Sequence, residues 1–147
     1  MIFLYISRFG PISYDWDKNG CRHIWLSNLP EAETVHQDPL SDWLDGYFSG
    51  EVGSLPPVQA AATRFQARLR TGLLGIPLGE TRTYGELARQ LGSGARAVGQ
   101  ALGANPLPVL VPCHRILAAN GLGGFSCGIE WKKRLLAFER SLRTASM

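Results

Sequence analysis

Cys113 and His114 are the residues of this chain most able to do chemistry, because they place a thiol beside an imidazole directly after Pro112. A free cysteine titrates near 8.5, so only about 3% is thiolate at neutral pH, and the thiolate is the nucleophile. A base within reach changes that fraction. Neighbouring side chains on an extended strand point to opposite faces, so contact between the two needs a bend or a relaying water. Cys113 as a small buried hydrophobe and His114 as a satisfied core histidine remain the bland alternative. Pro106, Pro108 and Pro112 deny the preceding segment a helix, so the apolar run Leu107 to Val111 is expected to be extended and buried.

The rest of the chain must position that pair. At 147 residues, 45% hydrophobic and 18% charged, the chain has ordinary globular usage and room for one or two small domains. No apolar run approaches the roughly 20 residues of a membrane span, and no leader pattern opens the chain. Cys21, Cys113 and Cys127 are odd in number and at no framework spacing, which suits a reducing compartment. Residues 1–55 hold three Lys/Arg (Arg8, Lys18, Arg22) against eight Asp/Glu, a charge of −5, and residues 56–147 hold twelve against four, a charge of +8. That split makes a nucleic-acid partner plausible for the second part, a solvated basic face being the alternative.

The expected fold class is α+β, with a small N-terminal antiparallel sheet plus a helix, then a mainly helical C-terminal domain with a helix-turn-helix and an active-site loop. Residues 2–7 and 11–16 are rich in strand formers, and Asn19-Gly20 predicts a tight turn before a strand over 21–26. Leu40, Trp43, Leu44, Tyr47 and Phe48 recur at helical spacing. Gly53, Pro56 and Pro57 within Glu51 to Pro57 predict a linker, giving domains 1–55 and 56–147. A helix is expected from Val58 to about Leu74, with Ala61, Ala62, Phe65, Leu69 and Leu73 on one face. Thr83 and Glu86 satisfy a capping box, so a helix starts there and buries Leu87, Ala88 and Leu91. After Gly92-Ser93-Gly94, a second helix to Ala104 carries so little bulk that either tight packing or a partner's close approach is implied. Ile116 to Ala118 can pair as a strand. The last helix is expected from Ile129 to Leu142, with Leu135, Leu136 and Phe138 in the core, Lys132, Lys133 and Arg134 as a cationic cluster, and fraying from Arg143 on.

With its flanks, the run Asn105-Pro106 to Pro112-Cys113-His114-Arg115 resembles the active-site segment of the O6-alkylguanine-DNA alkyltransferases. The similarity covers roughly Pro57 to Glu139. It implies an N-terminal domain of ribonuclease H-like type and a methylated-DNA-protein-cysteine methyltransferase that acts once. An alkyl group, chiefly methyl, would pass irreversibly from O6-alkylguanine in double-stranded DNA to Cys113, with O4-alkylthymine left open as a further substrate. His114 would be the base through a water, Glu139 would orient it, and Tyr84 would give a proton to the leaving guanine. Thr83, Tyr84, Ala95, Arg96, Ala97 and Gly99 would contact DNA in the minor groove, with Arg96 filling the space of the flipped base. Asn105, Pro108, Ile116, Phe125, Ser126 and Cys127 would form the substrate pocket.

The chain departs from the family at two pocket positions, Phe125 for a usual tyrosine and Cys127 for a usual glycine. Cys127 is expected to narrow the pocket mouth and slow benzyl more than methyl transfer. Both the turn of the helix pair and the turn after Cys113 look short. Some relatives bind zinc, but Cys21, His23 and His36 alone offer too few ligands, so neither metal nor cofactor is expected. A monomer in a bacterial or archaeal cytoplasm, without membrane contact, is the expected setting. Two alternatives to transfer fit the sequence less well. A lesion-binding protein that recruits other repair factors would carry tryptophan where this chain has Cys113, and a Cys-His hydrolase would need an oxyanion hole that nothing here specifies.

Overall fold

A computed structural model describes the backbone of residues 1–145 and the side chains of residues 1–143. The chain forms two compact units, Met1–Gln59 and Ala60–Met147. In the first, β1 (Ile2–Ser7) and β2 (Gly10–Asp15) pair antiparallel, with Phe3 opposite Tyr14 and Tyr5 opposite Ile12. The third strand, β3 (Ile24–Trp25), is shorter than the 21–26 expected. Asp15 explains this, because its Oδ1 accepts from the Arg22 and His23 amides at 2.7 and 2.8 Å, removing two donors from the ladder. Gly20, in the predicted turn, has φ of +100°, and a Cβ there would lie 2.2 Å from the Pro57 carbonyl oxygen. Only glycine fits.

Helix α1 (Pro39–Phe48) is capped by Asp38 and Ser41 and buries Leu40, Trp43, Leu44, Tyr47 and Phe48, as their spacing predicts. The stretch after it does not lead at once into a helix. The Cys21 amide donates to Pro57 at 3.0 Å and the Gln59 amide to Cys21 at 2.9 Å, so residues 57–59 belong with the first unit. Helix α2 (Arg64–Leu74) starts where Thr63 accepts from the Gln66 amide at 3.0 Å. Ala61 and Ala62 therefore precede it, and its buried residues are Leu69, Gly72 and Leu73.

Strand β4 (Arg82–Thr83) runs into α3 (Tyr84–Leu91), with Thr83 and Glu86 making the reciprocal cap. Gly92 ends α3 in the left-handed region at φ 64°, and α4 (Ala95–Gly103) follows, the two burying Leu87, Ala88, Leu91, Val98, Ala101 and Leu102. This is a helix-turn-helix layout.

The segment after α4 is buried but not extended. Prolines set φ, yet the chain turns back on itself where the Val111 amide donates to Leu107 at 2.8 Å. Asn105 holds the turn from both sides, its Oδ1 accepting from Leu107 at 3.1 Å and its Nδ2 donating to Val111 at 3.0 Å. Val109 sits at φ 73°, a strained conformation for a β-branched residue that costs on the order of 1–3 kcal/mol. Strand β5 (Ile116–Leu117) then pairs parallel with β4, Arg82 opposite Ile116 and Thr83 opposite Leu117. The entry to α3 is thereby tied to the chain just beyond Cys113. Helix α5 (Ile129–Ala145) buries Leu135, Leu136 and Phe138, and it is helical at Arg143, where fraying was expected. Residues beyond 145 lie outside those described. Among the described residues no helix is long and apolar enough to cross a membrane.

Candidate active site

Cys113, His114 and Arg115 form one turn of 3-10 helix, with the Arg115 amide donating to Pro112 at 3.1 Å. This is the bend that adjacent side chains need. His114 is fully buried, and its Nε2 lies 2.6 Å from Glu139 Oε2. Arg115 completes a buried cluster, donating from Nε to Oε1 at 2.8 Å, from Nη2 to Oε2 at 3.2 Å, and from Nη1 to the Ile76 carbonyl at 2.9 Å. Burial alone would raise the Glu139 pKa, but the hydrogen bonds and charges of His114 and Arg115 outweigh it and hold the carboxyl at about 2. An ionised carboxylate can only accept, so Nε2 carries a hydrogen, and in the neutral form of the ring Nδ1 is then the lone pair. That Nδ1 is buried and has no hydrogen-bond partner among the described residues.

Cys113 stands on the wall of a cavity of about 200 Å³, lined also by Tyr84, Gly99, Leu102, Gly103, Gly124, Phe125 and Ser126. Burial pushes its thiol up to about 11, offset in part by a hydrogen bond from Asn105, raised further by Cys127 and lowered by the Lys132 charge. The thiol is therefore protonated at neutral pH and needs a proton acceptor to react. Lys132 is buried, donating to the Ile116 carbonyl at 2.7 Å and to the Gly124 carbonyl at 2.9 Å, and so fastens the cavity loop to α5. A Cβ on Gly123, at φ 72°, would come within 2.9 Å of the Tyr84 ring, so the loop packs directly against that tyrosine.

The predicted residues divide by place. Cys113, Tyr84, Gly99, Phe125 and Ser126 meet in the cavity, while His114 and Glu139 meet behind it. Asn105, Pro108, Ile116 and Cys127 are not among the lining residues: Asn105 pins the turn, Pro108 and Ile116 are packed in the interior, and half-buried Cys127 follows Ser126. Ala95, Arg96 and Ala97 are exposed on α4, and Thr83 caps α3. A Cβ on Gly99 or Gly103 would meet nothing within 4 Å, so internal packing does not require glycine at either position.

Sequence reasoning missed Arg115 as a partner of Glu139 and grouped Lys132 with Lys133 and Arg134 as a cationic cluster, of which Lys133 and Arg134 are exposed and Lys132 is buried. Lys132, Leu135, Leu136 and Glu139 recur at i, i+3, i+4 and i+7, which is the signal that places Lys132 on the buried face. Cys21 Sγ lies 3.5 Å from the His23 carbonyl, and His36 Nδ1 lies 2.6 Å from Asp38. Among the described residues no three His, Cys, Asp or Glu side chains could together hold a metal.

The chain combines a helix-turn-helix layout with a cavity-wall cysteine next in sequence to a buried histidine paired with a glutamate. Residues 64–141 match the family described as 6-O-methylguanine DNA methyltransferase, DNA binding domain. A Mycobacterium bovis methylated-DNA-protein-cysteine methyltransferase is 46% identical over 139 residues, 83% of this chain and 84% of that one. One from Metallosphaera sedula is 36% identical, covering 94% and 92%. Among solved structures, Mycobacterium tuberculosis OGT in complex with DNA superposes with a TM-score of 0.82 at 36% identity, over 96% of this chain and 93% of that chain. The O6-methylguanine-DNA methyltransferase of Pyrococcus kodakaraensis gives 0.72 at 26% identity, over 95% and 99%. The chain belongs to the O6-alkylguanine-DNA alkyltransferase, or methylated-DNA-protein-cysteine methyltransferase, family.

Proposed function

We propose that this protein repairs DNA by moving a methyl group from O6-alkylguanine directly and irreversibly onto Cys113, each molecule acting once. The observation that carries the assignment to Cys113 is its place on the cavity wall with the His114, Glu139 and Arg115 cluster behind it. The thiol proton passes through a water to His114 Nδ1, and Glu139 stabilises the imidazolium that forms. Sulfur attacks the methyl carbon as its bond to O6 breaks, and the departing guanine takes a proton that the Tyr84 hydroxyl, on the same wall, can supply. The product thioether has no thiol left to attack a second lesion, so turnover stops, and the proton held by His114 returns through water to the Tyr84 phenolate. The balance closes without a cofactor.

A guanine in the stack gives the sulfur no line of attack, so the base must be extruded, at a cost of a few kcal/mol. Helix α4 lies in the minor groove, where Gly99 and Gly103 let the DNA backbone come close and Arg96 fills the vacated space. Thr83, Tyr84, Ala95 and Ala97 complete the contact. The protein works as a monomer on duplex DNA in the cytoplasm.

Intact-protein mass spectrometry after incubation with excess duplex containing O6-methylguanine tests the assignment, with Cys113→Ser alongside. One added methyl, mapped to Cys113 and absent from the variant, is the expected result. Lesion-selective binding without an adduct would instead mark a protein that recognises the lesion and leaves its removal to other factors.

A further inference from the structure

Methyl transfer uses one thiol, and a second lies on the loop that helps to line its cavity. Phe125–Gly128 is a turn closed by the Gly128 amide donating to Phe125 at 3.0 Å, which puts Ser126 and Cys127 at its centre. Phe125 and Ser126 are part of the cavity wall that Cys113 shares, so the turn carries Cys127 on the rim of the acceptor site. Both cysteines are reduced in this structure, Cys113 being buried at 6% exposure and Cys127 half-buried. A charge on one sulfur is felt at the other, and the Lys132 ammonium acts on Cys113 in the favourable sense. A disulfide needs Cα atoms closer than about 7 Å, and Cys127 directly follows Ser126, which lines the cavity that Cys113 also lines.

We propose that Cys113 and Cys127 form a reversible intramolecular disulfide when a peroxide reaches the site, capping the acceptor thiol. Half-buried Cys127 reacts first: its thiolate attacks a peroxide oxygen, giving a sulfenic acid and, with the thiol proton, one water. Cys113 sulfur then attacks that sulfur, the S–S bond forms, and the hydroxyl leaves as a second water with the Cys113 proton, relayed by His114 Nδ1. Two thiols are oxidised and one hydrogen peroxide is reduced to two waters. A small thiol reductant reverses the bond by exchange. The functional consequence, a protein unable to accept methyl until reduced and shielded from overoxidation, rests on the assignment of Cys113 as acceptor. The disulfide itself does not.

Full-length protein treated with graded hydrogen peroxide, digested with trypsin without reduction and analysed by mass spectrometry tests this. Cleavage after Arg96, Arg115 and Lys132 places the two cysteines on peptides 97–115 and 116–132. The expected product is these two joined, two hydrogens lighter than their sum, absent from Cys127→Ser and Cys127→Ala, and lost on dithiothreitol treatment. Wild type should then recover methyl acceptance several-fold better than either variant after equal oxidation, each compared with its own untreated sample. Peptide 97–115 carrying sulfinic or sulfonic acid with no joined peptide at any peroxide dose overturns the proposal, as does a linkage found only between molecules. Formation of the joined peptide by a protein that accepts no methyl when reduced would sink the transfer assignment and leave the disulfide standing.

Discussion

Glu139→Gln removes the charge around which His114 and Arg115 are assembled. The wild-type carboxyl is held at about 2, some two pH units below an ordinary glutamate near 4.3. At about 1.4 kcal/mol per unit, its surroundings favour the ionised form by roughly 3 kcal/mol. Removing one partner of a buried charge pair costs about 3–5 kcal/mol by general experience, because the other charge stays buried without compensation. Both routes predict a loss of about 3–5 kcal/mol at pH 7, a large part of the roughly 5–15 kcal/mol that holds a domain folded. Urea unfolding followed by circular dichroism measures it. The folded-state pKa is depressed, so the Glu139 contribution is present above the unfolded value near 4.3 and lost as pH falls towards 2. The gap between wild type and variant should therefore shrink on acidification from pH 5 to pH 2. Adding Arg115→Met to Glu139→Gln removes the orphaned guanidinium and should restore most of the stability. Methyl transfer should not recover, because no charge then stabilises the imidazolium. A loss below about 1 kcal/mol at pH 7, or a gap that does not change with pH, would refute the reasoning.

Gly99→Ala should stabilise the unbound protein by about 1 kcal/mol, as an interior helical glycine with open space at its Cβ, while weakening duplex binding. A variant that gains stability and binds duplex as wild type does would remove α4 from the groove. Alkylation of Cys113 by iodoacetamide, followed by peptide mapping, should keep rising about tenfold per pH unit between pH 7 and 10, since burial holds the thiol up to about 11. A plateau near pH 8.5 would contradict that. Lys132→Met leaves the Ile116 and Gly124 carbonyls without their buried donor, at a cost of about 1–3 kcal/mol each. Amide exchange at Gly123 to Phe125 should accelerate, and unchanged protection would mean the loop is held by something else.

Local rules carried much of this protein in the sequence alone. The capping box at Thr83 and Glu86, the left-handed Gly92, the Asn19-Gly20 turn and the spacing in α1 each depend on residues within a few positions, and each appears where those residues stand. The apolar pattern from Val58 suggested an earlier start for α2 than the cap that the Thr63 side chain makes with the Gln66 amide. Cys113 and His114 were conspicuous as a dipeptide, and Glu139 only through resemblance.

Tertiary structure decided the rest, because its causes lie far apart in the chain. Prolines fix φ but not ψ, so the turn from Asn105 to Val111, with Val109 at φ 73°, follows from a side chain reaching across six residues and from burial. Whether a charged side chain is exposed depends on what compensates it. Lys132 is buried because carbonyls 8 and 16 residues away meet its ammonium, and Arg115 because a carboxylate 24 residues on accepts two of its hydrogens. Composition names these residues as charged, but burying a charge is tolerable only where partners converge, and that convergence exists only once the elements have packed.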